Sequence, residues 1–293
     1  MFEGSLECGT MTHFPSPPPG QFTFDVLGEL GTGGFGVVEK IKITSSAAPA
    51  LPVGSEWARK RLNPAWDQNP TARARFEREI TALQQMSHDN IVGCFGTNLA
   101  GKPRFYVMPL YQSSFRKMIH SNVGRGDWRY AARIGAILAA AMGYAHGAGF
   151  IHRDIKPENI LFNPNEPPII ADWGLGYFVH RHSKVLKQLT RGGMGTEYYC
   201  SLEQWNTGKC DERGDIYSLG MTLDELVTGT QRRITVGAGV RTPTVHGGGP
   251  DADRFNALLQ SMTHPAPSGR PSSMWSVSME LNSILTPQLP YLG

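Results

Sequence analysis

Residues 152–159 read His152-Arg153-Asp154-Ile155-Lys156-Pro157-Glu158-Asn159. Asp154 supplies a carboxylate able to accept a hydroxyl proton. Lys156, two residues on, carries an ammonium that can neutralise charge on a transferring phosphoryl group. Asn159 offers an oxygen to a hard cation. Downstream, Asp172-Trp173-Gly174 brings a second oxygen ligand, and Mg²⁺ prefers a set of this kind.

Upstream of that string runs the most apolar window of the chain, Tyr130–Phe150. Ile134, Ile137, Leu138, Ala141 and Ala145 share one face there, as in an amphipathic helix. Arg133, Gly143 and His146 interrupt the window, which keeps it short of a membrane span.

Near the N-terminus, Gly31-Thr32-Gly33-Gly34-Phe35-Gly36-Val37-Val38 forms a G-x-G-x-x-G-x-V string. A dinucleotide-binding turn shares its first six positions but must open a helix. Here Val37, Val38, Ile41 and Ile43 continue as the returning strand of a hairpin that begins near Phe22. Such a glycine tip can lay backbone amides over phosphates, or be an ordinary Gly-rich hairpin. Thr44–Glu56, rich in Ser, Ala and Pro, reads as an exposed loop, and Trp57–Leu62 as a third strand. Lys60 lies in that strand, with an ammonium suited to nucleotide phosphates. Arg59 and Arg61 offer the same charge, but alternation points them to the opposite face.

The spacing predicts a helix over Thr71–Ser87, with Phe76, Ile80, Leu83 and Met86 in one apolar arc. Glu79 falls inside the arc. A carboxylate on a buried face needs a partner, which Lys60 could supply; the other reading is a surface glutamate that reaches solvent. Arg104–Leu110 reads as a further strand. Later, Ile216, Leu219, Leu223, Leu226 and Val227 mark a second buried helix face, which Gly229 is placed to stop. Strands come first and helices later, so the class is α+β with two lobes.

The chain has 293 residues, 28 Lys+Arg against 25 Asp+Glu, and a net charge of +3. That balance gives no electrostatic argument for nucleic acid or anionic lipid. The four cysteines (Cys8, Cys94, Cys200, Cys210) form no C-x-x-C pair, and inert thiols in a reducing compartment are expected. No basic stretch followed by an apolar one opens the chain, so the reading is a cytoplasmic protein without a membrane segment. His180-x-His182 lacks a companion cluster and reads as part of a basic loop.

Taken together, these strings resemble the eukaryotic-type (Hanks-type) protein kinase superfamily, in its serine/threonine form, over about residues 24–280. The resemblance implies a bilobal fold: a small N-lobe with an antiparallel sheet and one regulatory helix, and a larger, mostly helical C-lobe. Its divisions would be a Pro-rich tail over 1–21, the N-lobe over 22–108, and hinge plus C-lobe over 109–293. Gly31, Gly33, Gly36 and Val38 resemble the phosphate-covering loop, Lys60 the α/β-phosphate lysine, and Glu79 its ion-pair partner. Asp154 resembles the catalytic base, with Lys156 beside it, and Asn159 and Asp172 the Mg²⁺ ligands. Met108-Pro109-Leu110-Tyr111 is similar to the hinge, where Pro109 and Tyr111 would hold adenine with Met108 behind the pocket. Glu203 would pair with Arg270, and Asp215 would brace the catalytic loop.

The resemblance implies ATP and Mg²⁺ as co-substrate and cofactor, and transfer of the γ-phosphate to a Ser or Thr hydroxyl of a protein substrate. Self-association for autophosphorylation would fit, with no nucleic acid and no membrane partner. Thr190, in a segment carrying Arg181, Lys184, Lys187 and Arg191, would as a phosphoresidue pair with Arg153. Trp173 after the metal aspartate, Glu197 after Gly-Thr, and Ser201-Leu202 before Glu203 depart from the family pattern. None removes a group needed for transfer. Two other readings remain: a pseudokinase or docking scaffold that binds nucleotide without turnover, and a small-molecule phosphotransferase.

Overall fold

A computed structural model describes residues 21–33, 36–175, 196–232 and 248–286. Strands β1 (Phe22–Thr32), β2 (Gly36–Ser46) and β3 (Glu56–Leu62) lead into helix α1 (Pro70–Gln85), followed by β4 (Gly96–Asn98) and β5 (Phe105–Met108). The five strands form one antiparallel sheet in the order β1-β2-β3-β5-β4. β6 (Ser113–Ser114), α2 (Phe115–His120) and α3 (Trp128–Gly147) come next, then β7 (Ile160–Phe162) and β8 (Ile169–Ile170), which with β6 make a small second sheet. Helices α4 (Thr196–Tyr199), α5 (Leu202–Thr207), α6 (Glu212–Thr228), α7 (Pro250–Met262) and α8 (Met274–Leu285) complete the described chain. A sheet carrying one long helix thus stands on a larger helical lobe, the α+β arrangement expected from the order of elements.

Local chemistry explains where the helices start and stop. Asn69 caps α1, its side chain accepting from the Thr71 and Ala72 amides at 2.9 and 3.1 Å, and Pro70 takes the first turn, where no amide is needed. Asp211 caps α6 in the same way. Gly229 ends α6 in the left-handed conformation at φ 65°, as its position in the sequence predicts. From Gly214 to Val227 every residue of α6 is buried, which makes it the central helix of the larger lobe. α3 packs against α8, where Ser278 donates to the Ala136 carbonyl at 3.0 Å.

The sheet's two faces do different work. Register places Lys60 opposite Val38 on one side and Tyr106 on the other. Arg59 and Arg61 point the other way, as alternation requires, and both bond Glu39, each through its Nε at 2.9 Å. The Arg59 guanidinium also lies 4.7 Å from the Phe24 ring centre and 5.4 Å from that of Phe105.

Some expectations change. The segment over Thr44–Glu56 is not simply an exposed loop: β2 runs on to Ser46, and Leu51 is fully buried against Phe22, Ile41 and Ile43. An apolar side chain in the connection closes the outer core of the sheet. α1 ends at Gln85, and β5 spans only Phe105–Met108. The strands of the small second sheet are two or three residues long, too short to leave a periodic signal. Residues 1–20 of the Pro-rich tail, Gly34 and Phe35 of the glycine string, the Thr190 segment and His180-x-His182 lie outside the described residues.

Candidate active site

The cleft is built on α1, β3 and the turn after β8. Lys60 Nζ lies 2.6 Å from Glu79 Oε1 and 2.9 Å from Asp172 Oδ1. A cavity of about 110 Å³ opens beside these groups, lined by Gly33, Gly36, Val38, Lys60, Arg75 and Asp172 among others. Sequence-predicted glycine, lysine and acid therefore meet in one place. Gly31 sits on β1 opposite Val38. Met108 is buried on β5, and Pro109 and Tyr111 follow it half-buried.

Electrostatics follow from this crowding. Burial would push the Asp172 carboxyl up, but Lys60, with Lys156 and Arg75 nearby, outweighs it and holds the group well below the usual range. Burial would likewise lower the Lys60 ammonium, yet Asp172 and Glu79 raise it above its ordinary value. Glu79 behaves differently. It is 3% exposed, and burial prevails over the Lys60 attraction, so its carboxyl sits above the ordinary glutamate value.

The second half of the site is the loop over 152–159. Asp154 Oδ2 accepts from Lys156 Nζ at 2.7 Å and from Asn159 Nδ2 at 3.1 Å. Asn159 also donates to the Asp154 carbonyl at 2.8 Å, which locks loop and side chain together. Burial would lower the Lys156 ammonium, but Asp154 raises it, so it stays charged at neutral pH. The Ala171 amide donates to the Asn159 carbonyl at 2.8 Å, which draws Asp172 up to the same loop.

Asp215, in the first turn of α6, accepts from the backbone amides of His152 at 2.8 Å and Arg153 at 2.6 Å, and bonds His146 Nε2 at 2.9 Å. It braces the loop, as expected. Arg153 sits at φ 68° and Asp172 at φ 64°, both left-handed positions for residues with a Cβ. Strain of this kind costs roughly 1–3 kcal/mol per residue and persists only where the surroundings dictate it. His152 Nδ1 accepts from the Asp154 amide at 3.2 Å, which leaves the ring proton on Nε2 facing the Ala171 carbonyl at 3.0 Å. Its ring packs edge-on against Trp173, centroids 4.6 Å apart. His152 is therefore a packing residue, buried between the loop and Trp173.

Gly174 shows why a glycine follows Trp173. A Cβ there would stand 3.0 Å from Glu79 Oε2 and 3.4 Å from Asp172 Oδ1. Helix α1 can approach the Asp172–Gly174 turn this closely only without that atom. Arg75, one turn before Glu79, donates from Nε to the Gly174 carbonyl at 2.8 Å and ties helix to turn. Lower down, Arg270 makes a two-armed bond to Glu203, at 2.7 and 2.9 Å. Burial would raise the Glu203 carboxyl, but Arg270 outweighs it and holds the group below the ordinary value. Burial, with Asp215 adding to it, pushes the Cys210 thiol up to about 12; Cys200 lies higher still, which fits inert thiols.

Sequence reasoning missed Arg75, Tyr106 and Arg116. Tyr106 donates its hydroxyl to Glu79 Oε1 at 2.9 Å, and Arg116 joins Glu158, Glu225 and Tyr199 in one cluster. Each is an ordinary residue of a strand or helix, and only its partner across the fold gives it meaning. Among the described residues no three His, Cys, Asp or Glu side chains converge as a metal cluster. An aspartate carboxylate and a side-chain amide oxygen are hard donors of the type Mg²⁺ accepts, an ion that usually keeps several waters.

A sheet with an inward lysine, a carboxylate on its single helix and a braced acidic loop below define a bilobal kinase fold. The family model described as "Protein kinase domain" matches residues 24–235, and the chain belongs to that family. A probable serine/threonine-protein kinase of Clostridium perfringens is 30% identical over 206 residues, which are 70% of this chain and 29% of that protein. A receptor-like serine/threonine-protein kinase of Arabidopsis thaliana is 31% identical over 204 residues, 68% of this chain and 53% of the relative. A probable serine/threonine-protein kinase named PknB from Corynebacterium glutamicum is 32% identical over 204 residues, 68% of this chain and 30% of its own length. The chain thus spans about a third to a half of the relatives it matches. No helix of the described residues is long and apolar enough to cross a membrane.

Proposed function

We propose that this chain is an ATP-dependent protein serine/threonine kinase. The observation that carries the reading is the meeting of Lys60, Glu79 and Asp172 within 2.6 and 2.9 Å, next to a cavity lined by Gly33, Gly36 and Val38 of the glycine string. Lys60 would hold the α- and β-phosphates, and Gly31, Gly33, Gly36 and Val38 would cover the nucleotide. Met108, Pro109 and Tyr111 would bound adenine. The donor set fits Mg²⁺ on Asn159 and Asp172; when bound, the ion would offset charge on the phosphates. Asp154 would orient the substrate hydroxyl and take its proton, while Lys156 stays cationic at its side. Little covalent work falls to the protein, so rate would come from positioning and fixed charge.

Lys156 supports a Ser/Thr substrate, and the relatives' printed names point the same way. The assembled ion pair argues against a scaffold without turnover. The Glu203–Arg270 pair argues for a protein substrate over a small alcohol, since it anchors the platform beside the loop. Arg153 supports control by phosphorylation: it is buried, and its Nε and Nη1 have no partner among the described residues.

Incubation with γ-labelled ATP and Mg²⁺, offering a generic protein substrate and small alcohols in parallel, tests the reading. Label is expected on serine or threonine of protein, this chain included if it phosphorylates itself, and none with Asp154→Ala. Label on the alcohols alone would move the assignment to a small-molecule kinase. Nucleotide binding without transfer would make it a scaffold.

A further inference from the structure

We propose that Tyr106 is a positioning residue for nucleotide binding, its hydroxyl fixing the Glu79 carboxylate against Lys60. The inference rests on the kinase reading above and assigns a part of the site that no sequence motif carries.

Tyr106 and Lys60 are directly opposite each other on β5 and β3, so both side chains leave the sheet on the same face. Both donate to one atom, Glu79 Oε1, at 2.9 Å from the phenol and 2.6 Å from the ammonium. Oε2 is left facing Gly174. The phenol is 1% exposed, with burial first and Glu79 next raising it well above its ordinary value, so it stays a neutral donor.

Helix α1 meets the Tyr106 side chain at two points. Phe76 packs on the ring, centroids 5.9 Å apart, and Glu79, one turn later on the same face, takes the hydroxyl. The ring docks the helix, and the hydroxyl sets which way its carboxylate turns. Without the hydroxyl, only Lys60 would orient Oε1, and Lys60 is also drawn toward Asp172. With Oε1 free to turn away, the ammonium would be left to Asp172 alone rather than held beside the cavity by both carboxylates. A hydroxyl that merely satisfied itself on the nearest acceptor would have no such effect on phosphate binding.

Tyr106→Phe keeps the ring and removes the hydroxyl, which separates the two roles. Binding of a non-hydrolysable ATP analogue with Mg²⁺, and of adenosine, is measured by calorimetry for wild type, Tyr106→Phe, Glu79→Gln and the double variant. Hydrogen bonds to charged groups suggest that the analogue binds Tyr106→Phe about fivefold more weakly. Adenosine, which has no phosphate to meet Lys60, is expected to bind as in wild type. In the Glu79→Gln background the added Tyr106→Phe change should cost nothing further. Equal weakening of adenosine, an unchanged analogue affinity, or a penalty that persists without the Glu79 charge each overturns the proposal. Wild type that fails to bind the analogue contradicts the kinase reading and this inference with it. Binding that is intact and indifferent to the hydroxyl contradicts the inference alone.

Discussion

Glu79 and Asp215 are both buried carboxylates, 3% and 0% exposed, yet they are held in opposite ways. Asp215 takes two backbone amides and a histidine ring, donors fixed by the loop it supports. Glu79 takes two side chains, both from the sheet and neither from its own helix. Burial raises each carboxyl, but the donors around Asp215 more than offset it, whereas those around Glu79 do not. A carboxylate anchored on backbone makes one rigid unit of helix and loop. One anchored on side chains depends on how helix and sheet pack, since Lys60 and Tyr106 reach it only across that apolar contact. The 152–159 loop is thus held by main-chain donors, and Glu79 by side chains brought from two strands.

The sharpest way to break this contrast is Asp215→Ala. Two buried amides and a buried histidine lose their acceptor together, so stability should fall by roughly 3–5 kcal/mol in a denaturant melt. Phosphate transfer by the folded fraction should drop by about a hundredfold, because the loop carrying Asp154 loses its shape. Glu79→Gln should reverse the emphasis. Its charge is costly to bury, so stability should change by no more than about 1 kcal/mol, while kcat/KM for ATP falls roughly ten- to a hundredfold. Loss of stability as large as for Asp215→Ala would erase the distinction.

Acid separates the two groups next. The Glu79 carboxyl lies above its ordinary value of 4.5, so it takes up a proton before a free glutamate would as pH falls. Asp215 lies below 3.8; its stabilisation is present above that value and is lost only as pH drops through the lower folded-state value. ATP affinity should therefore decline on acidification while circular dichroism still reports a folded chain. Coincident loss of both would contradict the account.

The smallest effect belongs to the outer face of the same sheet. Arg59→Met removes one of two guanidiniums from Glu39 and leaves Arg61 in place. A stability loss of about 1–2 kcal/mol is expected, with transfer rate within about twofold of wild type, although Arg59 adjoins Lys60 in the chain.

Much of the site was legible because its chemistry is written in short strings. Asp154, Lys156 and Asn159 lie within one loop, and Glu79 declared itself as a charge inside an apolar arc. Lys60 was separable from Arg59 and Arg61 by strand alternation alone. Tyr106 and Arg75 left no such trace, since a tyrosine in a strand and an arginine in a helix are unremarkable until the opposite element is in place. β1 shows the limit from the other side. Val26, Leu27 and Leu30 are each about half exposed, so their apolar character marks a strand but not a buried face. Leu51 shows the converse, an apolar residue in a polar stretch that is drawn into the core because the sheet's open end needs a cover.

The most direct test is a crystal structure with a non-hydrolysable ATP analogue and Mg²⁺. The account expects the phosphates beside the Lys60 ammonium, still paired with Glu79, and the metal bonded to Asn159 and Asp172. A nucleotide seated elsewhere, or a metal held by other residues, would contradict it.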